Sequence, residues 1–259
     1  MLRLYKKYFS IHLKSVMQYK ASFFITLIGN FITSFTVFLG VVFMFQRFHK
    51  VKDFQFSEVV LCYGILLLGF QISQMFASGF KVFDTMIANG QFDRILTRPC
   101  NEIFQVLASR IDFVRLGGMF QGVVMFVYGI SQAGVDWTPL RVLTLIFMVI
   151  GGSVVFSAIF LLDGAFAFFT LEGLEFMNVF SYGASEHGKY PVSIYGKGML
   201  TFCTFVVPYA LFQYYPLLFL LGRSDNLWFM FLPLISCWFV VPCWLVWRLG
   251  VHRYKSIGS

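Results

Sequence analysis

Charge is what this chain most lacks. Of its 259 residues only 12% are charged, 12 acidic and 20 basic, against about 25% in an ordinary soluble domain. That shortage excludes a soluble globule. Strict period-two alternation of apolar and polar residues is missing too, which excludes a transmembrane β-barrel. The five cysteines, Cys62, Cys100, Cys203, Cys237 and Cys243, have no ligand-type spacing. Neither a disulfide nor a metal site is therefore expected, and buried thiols are the default. His12, His49, His187 and His252 share no metal or triad spacing. No G-x-S-x-G or H-E-x-x-H occurs, which leaves an intramembrane hydrolase without nucleophile or metal. Gly183-Ala-Ser-Glu-His-Gly-Lys-Tyr190 approaches a phosphate-binding loop but has Tyr190 where a Ser or Thr must hold Mg²⁺, and Pro191 where the helix must run on. No nucleotide site or cofactor of its own is expected in this chain.

What is present is apolar surface. The chain is 58% hydrophobic with 35 phenylalanines, and its mean hydropathy is +0.76. Roughly 20 apolar residues cross a bilayer as a helix, and several windows qualify. The expected fold is an all-α polytopic membrane protein: an N-terminal interfacial amphipathic helix plus six transmembrane helices. Residues 1–20 form the interfacial helix, with Leu2, Tyr5, Phe9, Leu13 and Val16 on one stripe and Arg3, Lys6, Lys7, Ser10 and Lys14 between them. Four spans are read at about 21–45, 58–80, 111–132 and 140–162, and the last at 227–247. Trp228, Trp244 and Trp247 stand at the rims of that last span as an aromatic belt. The N-terminal pattern is too long and too polar at its start for a cleavable leader.

The stretch 163–226 has two readings, of which hydropathy alone favours the second, since Glu172, Glu175 and Glu186 interrupt the first. Either 166–187 is a short polar fifth span followed by an external segment, 188–226, whose apolar part dips back into the membrane and breaks at Pro208 and Pro216, or 163–197 is cytosolic and 199–221 is the fifth span. Residues 1–20, 81–115 and 248–259 hold five, five and three of the Lys and Arg residues. That bias puts both termini in the cytosol with an even number of crossings. The net charge of +8 thus reflects membrane anchoring, and no nucleic-acid partner is expected. Asp112 and Arg115, three apart, are expected to pair at the start of the third span. Asp163, Glu172 and Glu175 must find water, a cation or the protein interior, since a carboxylate facing lipid costs about 2.5–3.5 kcal/mol.

The chemistry-bearing segment is a polar island, residues 81–110, between the second and third spans. It carries Lys81, Arg94, Arg98 and Arg110 beside Asp84, Asp93 and Glu102. Gly90 supplies a helix stop and Pro99 a helix start. Between them Phe92, Ile95 and Leu96 form an apolar ridge, with Asp93, Arg94, Thr97 and Arg98 around it. Two readings stay open from chemistry alone: a short helix docking into a partner's groove, or a solvated loop held to lipid phosphates by its arginines.

The island and the later segment together resemble a known family. The matching pieces are Gly90-Gln-Phe-Asp93, Leu96-Thr-Arg-Pro99 with Asn101, Phe168-Phe-Thr170, Glu172-Gly173, Tyr190-Pro-Val-Ser-Ile-Tyr195, Phe205-Val-Val-Pro208, Tyr215-Pro216 and Leu221-Gly222. They resemble the membrane subunit of ABC-2 type exporters, in the viologen-exporter-like permease subgroup. Gly196 stands where that subgroup often has a second proline, and 185–189 is more polar than is usual there. The resemblance implies a single ABC-2 transmembrane domain over 1–259 in a bacterial plasma membrane. It selects the reading with the short fifth span and the external re-entrant segment. It implies a cytosolic ATPase dimer, which carries the ATP and Mg²⁺, and a second permease chain, alike or different. The island becomes a coupling helix with Gly90, Phe92, Asp93, Arg94, Leu96, Arg98, Pro99 and Asn101 at the contact, and Glu172, Glu175, Pro208 and Tyr215 are expected along the path. An ion-gradient carrier would need mid-depth charges and usually an internal repeat; none is visible between 1–130 and 131–259. A non-transporting scaffold remains the third class.

Overall fold

The computed structural model describes residues 2–48, 50–170 and 175–256. The described residues are helical, with no strand among them. Helix α1 (Leu2–Gln18) leads into α2 (Lys20–Phe48), followed by α3 (Phe56–Phe76). Four short helices come next: α4 (Ser78–Lys81), α5 (Phe83–Ala88), α6 (Gln91–Leu96) and α7 (Glu102–Ser109). Then come α8 (Leu116–Gln132), α9 (Pro139–Thr170) and α10 (Ala184–His187). The chain closes with α11 (Lys197–Phe205), α12 (Tyr209–Phe212), α13 (Tyr214–Leu220), α14 (Trp228–Ser236) and α15 (Val240–Arg253).

Among the described residues five helices are long and apolar enough to cross a membrane, counting 113–132 and 228–253 as single runs; α11 with α12–α13, bent by 87°, would make a sixth. The axis of the bundle is α3, where almost every side chain from Glu58 to Met75 is buried. Lipid is as apolar as a leucine side chain, so such helices hold together by close packing rather than by escape from water. The close approach comes from glycine: a Cβ on Gly129 of α8 would lie 2.6 Å from Leu61 Cα of α3. On its other side α3 packs on α9, which in turn packs on α14 and α15. Helix α2 is different, with little of its surface covered by the rest of the chain.

The two ends of the bundle differ. At the proximal end lie both described chain termini and α4–α7: Tyr5 of α1 packs on Phe104, His12 Nε2 meets the Ala108 carbonyl at 3.1 Å, and Tyr254 reaches Asp93. Tyr5, Phe9 and Val16 of the expected interfacial stripe are thus packed on this chain. At the distal end Arg223 binds both carboxylate oxygens of Glu58 at 2.7 and 2.6 Å and the Asp53 carbonyl at 2.8 Å. Its guanidinium also lies 4.4 Å from the Phe54 ring centre. Lys52 Nζ reaches the Ser193 carbonyl there at 2.7 Å.

Three expectations need correction. Residues 166–170, read as the start of a fifth span, complete α9 instead. That helix runs 32 residues, about 48 Å at 1.5 Å per residue, beyond the roughly 30 Å of hydrocarbon. Residues 179–187 are not one regular helix but a π-helical stretch, Val179–Gly183, continued by α10. The segment still runs the height of α3: Tyr182 lies against Phe70 and Gln74, Gly188 against Leu66, and Ser193 against Lys52 beyond the start of α3. Trp247 is not a rim residue; it is fully buried, whereas Trp228 is exposed. Helices α11 and α12–α13 begin and end at the distal side, since Ser193 and Arg223 are both held there.

Candidate functional site

The proximal helices α5, α6 and α7 form an arm that projects from the bundle and is wired back into it. Gly90, at φ +64° in the left-handed region, turns the chain between α5 and α6. Asn101, rather than Pro99, starts α7: its Oδ1 accepts from Phe104 N at 3.1 Å, an ordinary N-cap. Buried Gln105 staples the loop between α6 and α7 by donating to the carbonyls of Ile95 at 3.1 Å and Cys100 at 2.9 Å. Glycine again sets the approach to the bundle, because a Cβ on Gly79 would lie 1.9 Å from the Val106 carbonyl oxygen.

The apolar ridge read from sequence is divided by the structure. Phe92 and Ile95 are buried in this chain, and only Leu96 is exposed, at 45%. The ring of Phe92 sits edge-on to Phe83, Phe168 and Tyr254 at centroid distances of 5.0, 5.2 and 5.1 Å, with Trp247 at 6.4 Å. Trp247 also meets Phe83 at 4.7 Å and Phe168 at 5.1 Å. Each such pair contributes about 0.5–1.5 kcal/mol beyond the area it buries. The cluster joins the arm to the C-terminal parts of α9 and α15, two long helices. Asp93 is held by the chain's end: Tyr254 donates to its Oδ1 at 3.0 Å and Ser256 to its Oδ2 at 2.8 Å. Burial first, and then the Asp93 carboxylate, raise the pKa of the Tyr254 phenol. Of the residues expected at the contact, Arg94, Leu96, Arg98, Pro99 and Asn101 are exposed. Arg94 and Arg98 border a cavity of about 210 Å³ between the arm and Tyr8 of α1.

A second feature was not singled out from sequence. A cavity of about 150 Å³ opens between α2, α3 and the broken segment around α10, lined by Asn30, Thr33 and Ser34 on one side and Gln71, Tyr182 and Ser185 on the other. Arg115, paired with Asp112 at 3.0 Å as its spacing predicts, and Glu186 also line it, over an apolar floor that includes Leu67 and Phe70. Gln71 is only 7% exposed, and its Oε1 has no hydrogen-bond partner among the described residues. The sequence signal was available: Thr26, Asn30 and Thr33 recur at spacings of four and three along a span, one polar stripe on an apolar helix.

The residues expected along a path are dispersed. Glu172 lies outside the described residues. Glu175 is exposed, its Oε2 accepting from Asn178 at 3.0 Å. Pro208 is buried at the bend before α12, and Tyr215 meets Thr204 through a hydroxyl contact of 3.3 Å. Neither Pro208 nor Tyr215 lines the polar cavity.

A family model described as ABC-2 family transporter protein matches residues 31–258. No curated protein and no solved structure matches the chain.

Proposed function

The chain belongs to the ABC-2 transporter family, whose members are multi-pass membrane transport subunits that generally work with a cytosolic ATPase, and from that premise we propose that it is the permease subunit of an exporter driven through the arm formed by α5–α7. The observation that carries this reading is the division of labour on α6. One face is locked by Phe92 to α9 and α15, while Arg94 and Leu96, with Arg98 just beyond, are left outward, and neither arginine side chain has a hydrogen bond or ion pair among the described residues. A lever needs both a rigid joint and a free grip. The basic residues concentrated at the proximal end orient that end toward the cytosol. The chain supplies the moving wall, and the ATP-driven bias between conformations comes from the partner.

The polar cavity supports a second permease chain, identical or not, against α2, α3 and the segment around α10. Asn30 and Thr33 donate to carbonyls of their own helix, but Gln71 Oε1 has no partner among the described residues, and a facing chain or a water-filled path would supply its donor. The substrate passes along this face in the proposed arrangement.

The test is a photo-crosslinking side chain placed at Leu96 in native membranes. The proposal expects an adduct to a nucleotide-binding protein whose yield changes with ATP. Adducts to lipid alone, unaffected by ATP, would overturn the lever and leave the solvated-loop reading.

A further inference from the structure

A separate cavity, of about 230 Å³, lies within this one chain between α3, the broken segment 179–188 and the bent pair α11–α12. Its wall is apolar, built from side chains such as Leu66, Phe180, Met199, Phe202 and Cys203. One polar side chain in the wall is different. Gln213 is fully buried, and its Oε1 has no hydrogen-bond partner among the described residues. Its amide orientation is fixed, because Nε2 donates to the Gly188 carbonyl and faces Cys62 Sγ at 3.1 Å; the reverse placement would set two carbonyl oxygens against each other. Neither tyrosine hydroxyl of the wall serves it. The Tyr195 hydroxyl is given to the His187 carbonyl at 2.8 Å, and that of Tyr209 to the Phe180 carbonyl. A buried acceptor left unpaired is costly, and it is costly here beside a void large enough for a molecule. A cavity of about 150 Å³ with a similar lining holds benzene.

We propose that this cavity is a binding site for a small amphiphile: one aromatic ring or a short alkyl body, carrying a single hydrogen-bond donor that pairs with Gln213 Oε1. The site is distinct from the polar cavity at α2, with which it shares no lining residue, and it does not depend on the transport reading. An occupant would bridge the π-helical stretch, through Phe180, to α11, through Met199 and Phe202. It would stiffen the two irregular elements against each other.

The experiment uses the full chain in lipid nanodiscs and two probes of matched size, 4-fluorophenol and 4-fluorotoluene, followed by ¹⁹F line broadening at equal free concentration. Expected is saturable binding with about a five- to tenfold preference for the phenol, the effect of one hydrogen bond to an otherwise unpaired acceptor. Ala184, which lines the cavity, supplies the control: Ala184→Phe fills the space while leaving Gln213 in the sequence, and should abolish saturable binding of both probes. Equal affinity for the two probes would overturn the role of Gln213. Absence of saturable binding, or its survival in a folded Ala184→Phe variant, would overturn the site itself.

Discussion

Tyr254 donates its hydroxyl to Asp93 at 3.0 Å across 161 residues of chain, so the tail after the last helix grips the proximal arm. Ser256 closes the same carboxylate from its other oxygen. The arm is held on its free side as well as its buried side.

Replacing Tyr254 by Phe keeps the ring in the aromatic cluster and removes only the donor. About 0.5–1.5 kcal/mol of local stability should go, read as faster amide exchange over residues 91–96 with exchange in α3 unchanged. The pH sign follows from the raised phenol pKa. The hydroxyl's contribution is complete below the ordinary tyrosine value of 10.0 and is lost only as pH rises through the higher folded value. Wild type and Tyr254→Phe should therefore differ at neutral pH and converge in strong alkali. A constant difference across that range would show that Asp93 is held some other way.

Phe92→Ala and Arg98→Glu should separate structure from coupling. Phe92 is fully buried, and its truncation should cost about 3–5 kcal/mol through lost contacts and a residual void, visible as a lower melting temperature. Arg98 is exposed, so Arg98→Glu should leave the melting temperature within a degree or two and reduce ATP-driven export by at least tenfold in a reconstituted complex. Undiminished export by Arg98→Glu would remove Arg98 from the grip.

Gly79→Ala should be the most damaging single methyl. The added carbon would meet backbone, the Val106 carbonyl at 1.9 Å, and backbone cannot rotate away as a side chain can. A loss of about 3 kcal/mol or more is expected, confined at first to the seat of α7. Hydrogen exchange over 102–109 would locate it, and a normal profile there would contradict the packing.

Arg223→Ala should release the distal end. Glu58, 9% exposed, would be left with only the Gln55 amide as donor among the described residues, at a cost of about 2–4 kcal/mol. Arg223→Lys keeps the charge but not the forked contact and should recover part of it. Faster proteolysis between Leu221 and Trp228 is the readout, and equal cleavage of the three forms would argue against the clasp.

Paired cysteines test the second chain. Ser34→Cys, in a background without native thiols, should crosslink to another permease chain in membranes, because Ser34 lines the polar cavity. Val123→Cys on the exposed face of α8 should not. The reverse result would move the interface to α8.

The five long helices were legible because length and hydropathy are properties of runs. Gly90 and the Asp112–Arg115 pair were legible because their geometry is local. Phe92 and Trp247 were misjudged for one shared reason. In a membrane protein a phenylalanine or tryptophan is equally at home in lipid, at an interface or in the core, so its type does not say which face covers it. Residues 166–170 were assigned to the wrong element because no breaker separates them from α9. The polar cavity joins Asn30 to Gln71 and Tyr182, and the other cavity joins Leu66 to Gln213; neither pairing has any trace in sequence spacing.

The aromatic cluster also sets an order of events. Phe83 and Phe92 are translated long before Trp247 and Tyr254, yet they have no complete seat until those residues arrive. A ribosome that stalled after α14 would leave behind a protein with most of its crossings in place and a loose, greasy arm. The stretch from Trp247 to Tyr254 thus decides when the arm becomes firm.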